Sequence, residues 1–111
     1  MNTLTEGLEL KFTKLDKRHR GHGTFKYYVE VREKVHSYRF KTNYIPFFKL
    51  RGLCFETWGM SCEREMYLKA QHEKNTEILN NHWAWHTDLN NSQYRIYLKS
   101  DEEKAWLLLK W

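Results

Sequence analysis

The stretch FKYYVEVR at residues 25–32 decides the fold, because its side chains alternate between two kinds of environment. Phe25, Tyr27, Val29 and Val31 recur every second residue, which is the period of a half-buried β-strand. Residues 8–13, LELKFT, repeat the alternation, and the polar segment DKRHRGHG at residues 16–23 separates the two stretches. This order predicts an antiparallel hairpin with a long polar tip.

Moving towards the C-terminus, Glu33-Lys34 predicts a turn and residues 35–41 a third strand. Asn43 is then a suitable helix N-cap, and proline is tolerated in the first turn that follows. Apolar residues at helical spacing continue to Gly59, which is placed to end the helix. These apolar residues are Phe47, Leu50, Leu53, Cys54 and Trp58.

Residues 62–69 predict a further strand, although residues 62–66 also suit a helix. Residues 70–80 are polar and predict a loop or a short helix. Residues 82–87 and 93–99 predict a second hairpin across residues 88–91. Ser100 and Glu103 form a capping box that starts a C-terminal helix, with one helical turn and a strand over residues 107–111 as the alternative.

Together these elements predict one α+β domain over residues 1–111, without an internal linker. We expect a mostly antiparallel sheet of five or six strands, with two helices on one face. Helices on one face leave the other face partly exposed to solvent. The side chains predicted for that exposed face are Tyr28, Arg32, Arg39, Lys41, Arg95, Tyr97 and Lys99.

Positive charge and aromatic side chains occur together in this chain. It has 18 Phe, Trp and Tyr among 111 residues, and 19 Lys and Arg against 14 Asp and Glu. Cations neutralise phosphates and rings stack on bases, so the mixture suits a nucleic-acid surface. The same rings also suit the core of a small domain. No signal peptide or membrane span is predicted, and the two cysteines are expected as reduced thiols in a cytosolic protein.

Residues 14–23, called the basic loop below, are the strongest candidate binding segment. A cationic hairpin tip can grip phosphates, and two glycines would let it adapt. The predicted loop contacts are Lys14, Lys17, Arg18, His19, Arg20 and His22. The exposed sheet face adds a second candidate, in which Tyr28, Arg39, Arg95 and Tyr97 stack on bases and hold phosphates. Ordinary cross-strand packing of Tyr and Arg is the alternative for these four residues.

Two further kinds of chemistry have weaker patterns. His82 and His86 would share one side of a strand and could bind a metal with Cys54, Cys62 or His72, but the close ligand spacing of zinc modules is missing. His19 and His22 could act as acid and base in a small ribonuclease, with Arg18 or Arg20 on the phosphate. We therefore expect a binding protein without a metal, cofactor or catalytic residues.

Two stretches carry a resemblance to a known group of proteins. RGLCFETWG at residues 51–59, and YRIYLKS at residues 94–100 with LKW at residues 109–111, resemble segments of small uncharacterised proteins of tailed bacteriophages. The resemblance implies a virus-encoded protein in the host bacterial cytoplasm or in a virion. We expect an accessory protein that binds nucleic acid, RNA before DNA, or a host nucleic-acid machine. The alternative is a structural or assembly protein with an aromatic protein–protein interface.

Overall fold

The sheet is built from two hairpins that meet in the middle. A computed structural model describes residues 8–33 and 44–111. Its strands are β1 (Leu8–Lys14), β2 (Tyr27–Glu33), β3 (Trp83–Asp88) and β4 (Gln93–Leu98), in the order β1-β2-β4-β3. Every neighbouring pair is antiparallel, so both predicted hairpins are confirmed. The sheet has four strands rather than five or six in the part of the chain described, and the strand predicted at residues 35–41 lies outside it.

Within residues 8–33 and 44–111, three α-helices complete the α+β fold: α1 (Tyr44–Trp58), α2 (Arg64–His72) and α3 (Asp101–Lys110). The predicted helix α1 is confirmed, and it ends at Gly59, whose φ of 87° suits a residue without a side chain. Ser100 is confirmed as the N-cap of α3, because its hydroxyl accepts from the Glu102 N–H, and Glu103 reaches back to accept from that hydroxyl at 2.7 Å. The predicted Asn43 cap lies outside the described residues.

Helix α2 replaces the strand predicted at residues 62–69. Glu63 caps it by accepting a hydrogen bond from the Glu65 N–H at 2.7 Å. Arg64, Tyr67 and Ala70 follow at intervals of three and are all buried, so one side of the helix packs against the protein. The strand prediction was wrong because this buried side is short and carries an arginine, which hides the helical period.

The helices lie on both faces of the sheet. On one side, here called the helical face, α1 and α3 cover Val29, Ile96 and Trp83. On the other, here called the loop face, α2 and the basic loop cover Tyr28 and Tyr97. The prediction that two helices cover one face is confirmed by α1 and α3. The third helix, α2, was not predicted, and together with the basic loop it covers part of the face that we expected to be partly exposed.

Candidate nucleic-acid interface

The basic loop is a folded turn rather than a loose tip. Its end is closed by the Phe25 N–H, which donates to the Gly21 carbonyl at 2.9 Å, and the Phe25 ring is buried. Gly21 and Gly23 both have φ of 90°, a conformation that favours glycine. A Cβ on Gly21 would also lie 3.1 Å from the Phe25 ring. These glycines therefore fix the shape of the loop, whereas the sequence suggested that they would loosen it.

Arg18 is a strongly exposed cation of the loop, and it folds back on Asp16. Its guanidinium donates to the Asp16 carboxylate at 2.8 Å, and its backbone N–H does the same at 2.9 Å. These contacts hold the pKa of Asp16 well below its usual range and raise the pKa of Arg18. Since 84% of the Arg18 side chain is exposed, the pair is open to water and an incoming phosphate can compete with the carboxylate.

Arg20 attaches the loop to α2. Its guanidinium donates to Glu65 at 2.7 and 3.1 Å, and Arg64 donates to the same carboxylate at 3.0 Å. The hydrogen bonds from Arg20, and then those from Arg64, lower the pKa of Glu65. Thr24 adds a second attachment, because its hydroxyl donates to Gln71 at 2.7 Å. Arg20 thus positions the loop and is itself largely neutralised.

Three predicted contact residues of the basic loop extend into solvent. Lys14, Lys17 and His22 are exposed, and no ion pair or side-chain hydrogen bond involves them within the described chain. Together with Arg18 they form the accessible cationic group of the loop. The six predicted loop residues thus comprise four that face water and two, His19 and Arg20, that hold the loop in place.

His19 has a structural environment. Its Nδ1 accepts a hydrogen bond from the Asp16 N–H at 3.0 Å, and its ring packs edge-on against Tyr28, with centroids 5.7 Å apart. The imidazole therefore braces the loop against the sheet. His22 is exposed beyond the turn, so the two histidines considered as an acid–base pair have quite different surroundings.

The aromatic half of the predicted site is buried. Tyr28 and Tyr97 lie beside each other on the loop face, with ring centroids 5.7 Å apart, and neither ring is open to a base. The prediction that they form an exposed stacking surface was wrong, because α2 and Phe25 pack over this part of the sheet. Arg39, the other predicted member, lies outside the described residues.

Arg95 joins this cluster from above the rings. Its guanidinium lies 4.1 Å from the centre of the Tyr28 ring, and its Nε lies 3.5 Å from a Glu30 carboxylate oxygen. Arg64 occupies the equivalent position over Tyr97, 5.3 Å from the ring centre, and donates to the Tyr97 hydroxyl at 2.7 Å. Two arginines thus cover two tyrosines, which makes the cluster an internal one.

The contact between Glu63 and His86 was not predicted from the sequence. The Nδ1 of His86 is hydrogen-bonded to a Glu63 carboxylate oxygen, and both side chains are partly buried. Glu63 uses its other oxygen to cap α2, so this pair joins the helix to β3. The sequence held one signal for this contact, namely that residues 62–66 also suit a helix. A helix starting there would have identified Glu63 as its N-cap.

The cysteines lie in separate environments. Cys54 packs into the cluster on the helical face, and Cys62 packs into the cluster on the loop face. Burial raises the pKa of Cys54 to about 12 and also raises that of Cys62. Among residues 8–33 and 44–111, no three His, Cys, Asp or Glu side chains are grouped to hold a metal ion. Cys54 and Cys62 lie on opposite faces of the sheet, so these two thiols are not placed to bind one metal ion together.

Net positive charge is confined to one part of the described chain. Residues 8–33 carry seven Lys and Arg against four Asp and Glu, whereas residues 44–111 carry nine of each. The first group comprises β1, the basic loop and β2. The hairpin that presents the loop is therefore the electropositive part, and the rest is balanced.

Comparisons with known proteins add no family to this picture. No protein-family model, curated protein or solved structure is detectably similar to the chain. None of the described helices is both long and apolar enough to cross a membrane. Function must therefore be inferred from the surfaces of the molecule.

Proposed function

We propose that this protein binds nucleic acid through its phosphate backbone, using the exposed cations of the basic loop. The observation that carries the proposal is the excess of positive charge in residues 8–33, presented on a loop of fixed shape. Lys14, Lys17 and Arg18 supply the phosphate contacts. Because the loop is already held by Phe25 and Glu65, little conformational freedom is lost when it binds.

The expected ligand differs in one respect from the one that the sequence predicted. The preference for RNA rested on bases stacking against Tyr28 and Tyr97, and both rings are buried. Phosphate contacts are common to RNA and DNA and carry no sequence information. We therefore infer binding that is independent of sequence and strongly dependent on salt. A phage origin and a place in the host cytoplasm or a virion stay predictions from the resemblance.

The test compares two variants that remove equal charge. The double variant Lys17→Ala with Arg18→Ala removes two positive charges from the basic loop. It keeps Arg20, because the contact of Arg20 with Glu65 positions the loop. Lys49→Ala with Lys110→Ala is the matched control, because both lysines are exposed on α1 and α3. Fluorescence anisotropy with a labelled DNA duplex of about 20 base pairs, and with single-stranded RNA of similar length, gives Kd from about 50 to about 200 mM salt.

The loop variant should weaken binding to both nucleic acids by about tenfold or more at the higher salt concentration. It should also reduce the slope of log Kd against log salt by about two for the duplex, because two phosphates are no longer neutralised. The control variant should change the slope by less than half as much. Absence of binding by wild type at about 50 mM salt, or equal reductions in the two variants, would overturn the proposal.

A further inference from the structure

A groove of about 690 Å³ opens beside α2. One wall is the connection after α1, with Trp58 and Met60, and the other is the segment before β3, with Ile78 and His82. Met66 of α2 lines the groove between them. This volume falls within the range of binding clefts in proteins.

The side chains at this groove are unusually exposed for their type. Met60 is 79% exposed, Met66 56% and Ile78 42%. Apolar residues grouped around a concavity commonly mark an interaction site, and methionine adapts its shape to different partners. The apolar surface here is therefore suited to a ligand with apolar side chains of its own.

The walls are held in place without a ligand. The Asn80 side chain donates to the carbonyls of Trp58 at 2.8 Å and Met60 at 2.9 Å, and it accepts from the His82 N–H at 2.8 Å. The indole of Trp83 donates to the Gly59 carbonyl at 3.1 Å. One asparagine thus ties the two walls together, so the groove exists before any partner arrives.

The wall at Met60 and Ser61 also offers unused backbone donors. The N–H groups of these two residues make no hydrogen bond within the part of the chain that the structure describes. Extended peptides satisfy such groups when they lie along an irregular or edge segment. This favours a polypeptide in the groove over a small apolar molecule.

The charge of the groove lining indicates which charge a partner would carry. Glu77 is its one acidic side chain, and the lining contains no Lys or Arg, although the described chain has sixteen. His82 faces the Glu103 carboxylate, with 3.3 Å between Nδ1 and the nearer oxygen. A cation on the occupant would therefore meet Glu77 without repulsion from a neighbouring side chain of the groove.

We propose that this groove docks an extended, apolar segment of a partner protein that carries a Lys or Arg opposite Glu77. The proposal does not depend on nucleic-acid binding, because the groove and the basic loop use different residues of α2 and its flanks. Met66 supplies the apolar contact, the Met60–Ser61 backbone the hydrogen bonds, and Glu77 the charge.

The probe is a displayed library of random peptides of about twelve residues, selected on the full chain. Selected peptides should share apolar positions and a Lys or Arg. Met66→Glu should weaken them by about tenfold or more, since it places a charge in the apolar contact. Glu77→Lys should favour peptides with Asp or Glu instead. Leu109→Glu is the matched control, because Leu109 is exposed on α3 and outside the groove, and it should leave binding unchanged.

Three results would overturn the proposal. One is a selection that yields no shared sequence, and another is peptides whose binding tolerates Met66→Glu in a protein with wild-type circular dichroism. The third is a concentration-dependent dimer in sedimentation velocity that Met66→Glu dissociates, which would assign the groove to a second copy of the chain. Nucleic-acid binding by Met66→Glu, measured in parallel, should equal that of wild type, so failure of one proposal is distinguishable from failure of the other.

Discussion

The two faces of the sheet are buried in different ways. On the helical face, aliphatic side chains such as Val29, Leu50 and Leu107 pack with Trp83 under two helices. On the loop face, the buried cluster under α2 and the basic loop is rich in aromatic rings, namely Phe25, Tyr28, Tyr67 and Tyr97. The first face has a conventional apolar core. The second face has a thin layer of aromatic rings, and the hydroxyl groups of its buried tyrosines require hydrogen-bond partners.

Cations supply much of that covering on the loop face. Arg95 lies over Tyr28 at 4.1 Å and Arg64 over Tyr97 at 5.3 Å, while the Lys99 ammonium is 4.9 Å from the centre of the Tyr67 ring. Such contacts are favourable when they are partly shielded from water. The coincidence of aromatic and basic residues, which suggested a nucleic-acid surface, is therefore in part an internal feature of the fold.

The largest expected effect lies on the helical face. Trp83→Ala removes a fully buried indole and leaves a cavity, so it should lower the free energy of unfolding by about 3–5 kcal/mol. Leu109→Ala, on an exposed position of α3, should change it by less than about 0.5 kcal/mol. Urea denaturation measures both. If Trp83→Ala lowered the free energy of unfolding by less than Tyr97→Phe does, the contrast between the two faces would be wrong.

The next effect tests the polar covering of the loop face. Tyr97→Phe deletes the hydroxyl that accepts from Nη1 of the buried Arg64 guanidinium, which should cost about 1.5–3 kcal/mol because this N–H of a charged group loses its partner while Glu65 keeps its own contact with Arg64. Tyr28→Phe removes a hydroxyl that makes no hydrogen bond within the described residues, and should cost less than about 0.5 kcal/mol. Equal losses of unfolding free energy in the two variants, measured by urea denaturation, would show that the hydrogen bond from Arg64 does not stabilise the fold.

A smaller effect concerns Lys99, whose pKa is lowered by burial. Because the folded state disfavours its charged form, Lys99 makes the protein more stable as pH rises through its folded pKa towards the ordinary value of 10.5. Lys99→Met keeps an apolar chain of similar length beside Phe25 and Tyr67 and removes the titratable ammonium that lies over both rings. The stability of wild type minus that of the variant should rise over this alkaline range. A difference independent of pH would contradict the assignment.

The smallest effect is local and appears in acid. The pKa of Glu65 is lowered by its hydrogen bonds with Arg20, so the ion pair is complete above the ordinary value of 4.5 and breaks as pH falls through the folded pKa. Amide NMR signals of Gly21 and Gly23 should shift with a midpoint below 4.5. In Glu65→Gln this titration should disappear. Loop signals that titrate identically in both proteins would exclude the Arg20–Glu65 pair as the attachment.

Strongly periodic segments were predictable from the sequence. The alternation at residues 25–32 predicted the central strand β2, the spacing of Phe47, Leu50 and Cys54 predicted α1, and Ser100 with Glu103 predicted the start of α3. In each case a local pattern coincides with what the tertiary structure buries or caps. The second hairpin followed for the same reason.

The rest depended on contacts between distant parts of the chain. No local pattern shows that Arg20 meets Glu65, 45 residues away, or that α2 covers Tyr97. Sheet alternation predicts that Tyr28 and Tyr97 share a face, which is correct, but not whether another element packs on that face. The cationic residues of the candidate site were visible in the sequence, whereas the ion pairs of Arg18 with Asp16 and of Arg20 with Glu65 were not.

Gly21 has a consequence for how this surface can diversify. At this position a side chain is excluded by the backbone conformation and again by the Phe25 ring, while neighbouring Lys17 and Arg18 project into water. The hydrogen bond from Phe25 to Gly21 that closes the turn involves neither cation, so their substitution changes charge without removing that bond. If the loop binds phosphate as proposed, ligand affinity and foldability are governed by different residues of one short segment, and a lineage or an engineer can tune the first while holding the second constant.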